Sequence, residues 1–331
     1  MPAGRVHLSA EDARRLGERA MRGIGYDPEE ARIVTDHVID AALCGYEYSG
    51  LAKLLNIPEH RHFSQPRRPV QLIRETEVSA LYDGGNNVGM LAIYHAARAT
   101  IEKAKAHGIA LIGMTNTWMS GRNAYFVEMI AREGFVAIHT AASGAAVAPL
   151  GGIKPILGTN PIAFAIPMDE GPLILDMGTS AFMATELQLR VRRNEALPEG
   201  VAIDRDGRPT TDPAAAQAGA ILPFAGYKGF GLGLVVQALG VLGGAGMVPG
   251  AQDGYLFIAF RPDLLISLEQ CKREVSALIA RVKAVPRAPG VPEIRIPGEN
   301  SARSRERLTQ EGLDIDQLVY DELHRLAGNR E

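Results

Sequence analysis

The sequence predicts a mixed α/β protein, and three observations carry that expectation. Capped helical stretches open the chain, and from residue 87 onward helix-spaced apolar runs alternate with short apolar strands bounded by turn residues. No G-x-G-x-x-G fingerprint is present. The nearest approach, Gly229-Phe230-Gly231-Leu232-Gly233, lacks the third glycine at the required offset and sits mid-chain, which argues against a standard Rossmann unit.

Ser9 caps a helix over 9–23 with acidic residues in its first turn, and Asp27, Pro28 and Glu30 open a second with a cap, a first-position proline and an acid at the third position. The basic, proline-containing run HRHFSQPRRP at 60–69 has no apolar period and places a boundary near residue 70, before the strand-like VQLIRETEVSALYDG. A helix is expected over 87–107 with Gly108 as its stop, then the buried strand IALIGMTNT, a helix over 125–132 and the strand FVAIHTAAS. Further strands are expected over 161–167 and 173–177, a helix after Ser180, a glycine-rich helix from Gly229, and a strand at YLFIAF. Residues 263–285 read as a helix, 286–300 as an extended return, and 314–326 as a terminal amphipathic helix opened by Asp314.

With 331 residues, 46% apolar and 22% charged, the chain can bury a large core and build more than one lobe. Its net charge of -3, from 35 basic and 38 acidic residues well mixed along the chain, leaves no positive field for nucleic acid. The N-terminal stretch has no apolar signal core, and no run approaches the roughly 20 apolar residues of a membrane span, so the expected location is the cytoplasm. Cys44 and Cys271 read as two reduced thiols. His60 and His62 share a basic loop without a nearby acid or cysteine at metal spacing, so a solvated loop is favoured over a metal site.

The segments LGTNP at 157–161, DMGTS at 176–180, GYKGFG at 226–231 and PGEN at 297–300 together resemble those of the malate/L-lactate dehydrogenase-like family. The resemblance implies a non-Rossmann domain with a largely antiparallel sheet, spanning 71–295 and binding NAD or NADP. It also implies a helical domain over 1–70 completed by 296–331, and a homodimer. Cofactor contacts are then expected from Thr159, Asn160 and Pro161, from Asp176, Met177, Gly178, Thr179 and Ser180, from Tyr227 and Lys228, and from Gly298 and Glu299. On local sequence alone each has a plainer reading. DMGTS could be a strand end with a helix cap, Lys228 an exposed charge, and Pro297-Gly298 a simple turn.

Family members carry Arg-Gly-x-x-Ser-His-Gly where this chain has Cys44-Gly45-Tyr46-Glu47-Tyr48-Ser49-Gly50, so Ser49 stands at the position of the proton-donating histidine. A second family histidine falls at or near Met119, and the one before the Lys-Gly pair is Tyr227. Tyr48 and Ser49 are therefore the substitute proton path, with packing of Tyr46 and Tyr48 on the helical lobe as the alternative. Lys53 occupies the offset of a family arginine that receives the substrate carboxylate, and Arg122 is a second cation for it; either could instead be an exposed charge. The leading expectation is hydride exchange with a small, carboxylate-bearing 2-hydroxy or 2-oxo acid. Two alternatives stay open: reduction of a cyclic imine, which brings its own proton, and a cofactor-binding protein without turnover.

Overall fold

The computed structural model describes residues 4–247 and 253–328. The outermost residues of the expected helical domain, 1–3 and 329–331, lie outside the described residues. Strand β1 (Arg5–Leu8) leads into helices α1 (Ala10–Gly23), α2 (Pro28–Leu43) and α3 (Ala52–Glu59), with a 3-10 turn at Glu47–Ser49 before α3. Ser9 caps α1 by accepting the Asp12 N–H, and Asp27 and Glu30 form a reciprocal capping box on α2.

The central sheet begins with β2 (Gln71–Glu75) and β3 (Ser79–Val88), crosses over through α4 (Gly89–His107), and continues with β4 (Ile109–Trp118), α5 (Asn123–Arg132) and β5 (Val136–Ala142). It is extended by β6 (Ile162–Ile166) and β7 (Leu173–Met177). A smaller layer follows, made of α6 (Ala184–Arg193), β8 (Ala202–Ile203), α7 (Pro213–Ala218) and β9 (Ala220–Ile221). The chain then forms α8 (Tyr227–Leu242), β10 (Gly254–Phe260), α9 (Leu268–Lys283), α10 (Glu299–Glu311), β11 (Leu313–Asp316) and α11 (Gln317–Ala327).

The seven-stranded sheet runs β2-β3-β4-β10-β5-β6-β7, and only β3 and β4 are parallel. That pair is the one joined by a helical crossover, as parallel strands require. Side chains alternate across β5: Ala141 joins the core under α4 and α5, whereas Ala142 faces Gly240 of α8. Gly240 is required there, because a Cβ would lie 2.3 Å from that of Ala142.

The two chain ends pair directly, β1 with β11, and a shared core holds Leu16, Val34, Leu54, Ile315 and Leu323. Three sequence expectations are corrected. The helix expected over 263–285 begins only at Leu268, because the Ser267 side chain caps it. The return over 286–300 ends in an unforeseen helix, α10, whose residues ENSARSRERLTQE have no apolar period. Asp314 lies in β11, and Asp316 caps α11 by accepting the Leu318 N–H. Among the described residues, no helix is long and apolar enough to cross a membrane.

Candidate active site

A cavity of about 360 Å³ opens where the 3-10 turn and α3 meet the loop before α5, the end of β7 and the start of α10. It gathers Tyr48, Ser49, Lys53, Arg122, Pro161, Asp176, Gly178 and Gly298 from segments far apart in sequence. A second cavity of about 580 Å³ adjoins it and shares Arg122, Ile174, Pro297, Gly298 and Ser301. Glu299 lines this second space and pairs with Lys283 and with Arg303, the latter at 2.8 Å. A groove of about 590 Å³ elsewhere, beside the Arg67–Glu30 pair, contains none of the sequence-selected residues.

The remaining selected residues fall into two groups. Thr159, Asn160, Thr179 and Ser180 are buried and outside both cavity linings. Thr159 O accepts the Thr179 N–H at 2.9 Å, Asn160 donates to Gly233 O at 2.9 Å, and Ser180 donates to Phe182 O at 2.7 Å. Met177 is half-buried opposite Ile162 in the β6–β7 ladder. Tyr227 and Lys228, at the first turn of α8, are exposed and outside both cavity linings.

Lys53 is only 4% exposed, in the first turn of α3. A helix N-terminus is an unfavourable place for a cation. Its ammonium donates to Thr185 Oγ1 at 3.1 Å, and no carboxylate among the described residues forms an ion pair with it. Burial pulls its pKa down from 10.5 to about 8.

Arg122 sits in a different environment. Its guanidinium pairs with Asp40 Oδ2 at 2.8 Å and lies over the Tyr46 ring at 5.4 Å. The other Asp40 oxygen takes Arg305, which also pairs with Glu128 at 2.7 Å, so one network ties α2, α5 and α10 to the cavity wall. The Arg122 backbone N–H donates to Nε2 of the fully buried His37 at 2.8 Å.

Asp176 projects from β7 and accepts the Ala124 N–H at 2.7 Å, at the first turn of α5. Burial raises the pKa of its carboxyl, while the amides of Ala124 and Asn123 and the charge of Arg122 act in the opposite direction. Tyr48 is held as a weak acid: burial, Glu186, Tyr46 and Asp176 all raise its pKa, and only Arg122 opposes them. Asn123, on the same cavity wall, is 1% exposed, and neither its carboxamide oxygen nor its nitrogen has a hydrogen-bond partner among the described residues.

Sequence reasoning passed over Asn123, His37 and Asp40. Asn123 carried no motif. His37 and Asp40 did leave a trace, as polar residues three apart with Ile33, Val34, Ala41 and Leu43 beside them at helical spacing.

A malate/L-lactate dehydrogenase sequence model matches residues 8–324. The chain is 32% identical to the malate/(S)-sulfolactate dehydrogenase of Methanothermus fervidus, covering 97% of both proteins. Its fold is similar to the sulfolactate dehydrogenase of Methanocaldococcus jannaschii, with a TM-score of 0.85, 32% identity and coverage of 97% and 96% of the two chains. It is also similar to the Δ1-piperideine-2-carboxylate reductase of Pseudomonas syringae pv. tomato, with a TM-score of 0.80, 28% identity and coverage of 97% and 99%.

Proposed function

We propose, from the premise that this chain belongs to the malate/L-lactate dehydrogenase family, that it exchanges hydride between NAD or NADP and a small 2-hydroxy or 2-oxo acid. The observation that carries this reading is the convergence of two buried cations, Lys53 and Arg122, with the DMGTS strand end in one cavity.

The residues present fit a nicotinamide. Asn123 offers an unpartnered buried donor and acceptor, the pair that a carboxamide complements. Gly178 and Gly298 leave bare backbone at the wall, where an added Cβ would lie 2.8 Å from Met183 Sδ or 3.0 Å from Ile174 O. The adjoining cavity, with Glu299 in its lining, gives an elongated dinucleotide room to extend without a Rossmann fold. When bound, the nicotinamide supplies or receives the hydride.

The chain's own residues hold the acid. Arg122, held rigid by Asp40, takes the carboxylate, and Lys53 lies in the same cavity lining. Tyr48 and Ser49 line the same wall. The exposed apolar side chains of α8, Leu234, Val235, Val241 and Leu242, support a homodimer built on that helix.

A second reading, cyclic imine reduction, is favoured by the absence of histidine from the cavity lining among the described residues, because a protonated imine needs no further acid. Reduced-nicotinamide oxidation with NADH and NADPH, against paired 2-oxo acids and cyclic imino acids, tests both. Hydroxy acid products support the first reading and cyclic amino acids the second. Cofactor binding without turnover on either would leave a binding protein.

A further inference from the structure

Resting on the hydroxy acid reading, we propose that Lys53 is the proton donor and acceptor of this site, in place of the missing imidazoles. Several groups share its cavity or lie close to it: Tyr48 and Ser49 from the 3-10 turn, His37 from α2, Arg122 from the loop before α5, Asp176 from β7, and Thr185 from α6.

Elimination among the titratable groups that line the cavity, and His37 beside them, leaves one candidate. Arg122 is tied to Asp40 and does not deprotonate near neutrality. Asp176 is engaged as the cap of α5, Tyr46 is directed to Ser301, whose hydroxyl donates to it at 3.2 Å, and Tyr48 is made a weaker acid by its neighbours. His37 is sealed off, with Nε2 accepting the Arg122 N–H and Nδ1 buried without a partner. Among the described residues, Lys53 alone faces the cavity with a buried ammonium, no carboxylate partner and a pKa brought near working pH.

In the reductive direction, the carbonyl carbon takes hydride from the reduced nicotinamide and the π electron pair moves onto oxygen. That oxygen takes a proton from the Lys53 ammonium, leaving a neutral amine that is reprotonated from solvent past the half-exposed Thr185. In the oxidative direction the neutral amine accepts the hydroxyl proton. A guanidinium at this position would keep the charge but lose the proton transfer.

The test pairs a titration with kinetics. Protein labelled with 13C-lysine is titrated by NMR, with the Lys53 signal assigned from Lys53→Arg. Wild type, Lys53→Arg, Lys53→Met and Tyr48→Phe are then compared on the 2-oxo acid panel with NADH and NADPH. The expected result is a Lys53 midpoint near 8. Turnover of Lys53→Arg is expected to fall about 10²- to 10⁴-fold, with the acid's KM changed little and the alkaline limb of the pH profile lost. Lys53→Met should regain turnover with added small primary amines, which separates donor loss from misfolding.

A midpoint of about 10 or above, or Lys53→Arg turnover within about threefold of wild type, would overturn the donor role. So would a loss confined to Tyr48→Phe. Wild-type protein inactive on every oxo acid would instead remove the hydroxy acid reading, and the donor role with it.

Discussion

The carboxylate of Asp176 accepts the backbone N–H of Ala124 at 2.7 Å, so a residue at the end of β7 caps the helix that follows the Arg122 loop. One side chain thereby joins the DMGTS strand to the wall that carries Arg122 and Asn123. Asp176→Ala removes an anionic acceptor from a helix N-terminus and is expected to destabilise the protein by about 1–2 kcal/mol. Asp176→Asn should cost less. Urea unfolding checks the order, and a raised KM for the acid in both variants would show that the loop has loosened.

Gly121 turns with φ +87 against His37, and a Cβ there would lie 2.1 Å from His37 Nε2. Gly121→Ala therefore combines backbone strain with a clash against a buried ring, and should cost more than about 2 kcal/mol. Denaturant unfolding reads the loss. Because His37 holds the Arg122 backbone, the variant should also bind the substrate acid less tightly.

Asn123 should behave in the opposite way. Two buried polar atoms without partners make the ligand-free protein less stable than an apolar side chain of similar size would. Asn123→Leu is expected to raise stability by about 1–2 kcal/mol while weakening NAD or NADP binding tenfold or more. Thermal unfolding and calorimetric titration measure the two effects separately. A variant with unchanged affinity would remove Asn123 from the cofactor site.

Burial of Lys53 also makes stability depend on pH. Its pKa falls from 10.5 to about 8 in the folded state, so between those values the unfolded chain binds more protons and stability rises with pH. Below about pH 8 the full cost of the buried ammonium applies, on the order of 3 kcal/mol. Lys53→Met should therefore be more stable than wild type at pH 7, with the difference shrinking as pH approaches 10.5. Denaturant melts at stepped pH values check the slope.

The apolar side chains on α8 offer a test of assembly. Val235 and Leu242 are 55% and 69% exposed. Placing charge at both, with Val235→Glu and Leu242→Lys, is expected to turn a dimer into a monomer in light scattering while leaving the fold intact by circular dichroism. A wild-type protein that already runs as a monomer would remove the homodimer proposal.

Much of the architecture was legible because its signals are local. The capping box at Asp27 and Glu30 formed as read, and so did the left-handed Gly108 stop of α4. The strands around 162–166 and 173–177 were visible as apolar runs between turns. Helix α10 was not, because its order comes from contacts that periodicity does not report: Arg303 with Glu293, Arg305 with Glu128 and Asp40, and Arg307 with Glu311.

By itself the sequence determined the mixed α/β class, the family resemblance, the missing histidines and the residues to watch, because helix caps, glycine stops and motif spacing act over a few residues. Only the tertiary structure decided which of those residues share a cavity. It brought Lys53, Arg122, Asp176 and Gly298 together, left Tyr227 and Lys228 outside the linings, and added Asn123. Burial and the identity of a charge's partner depend on distant segments folding together, and those two quantities separate the free ammonium of Lys53 from the neutralised guanidinium of Arg122.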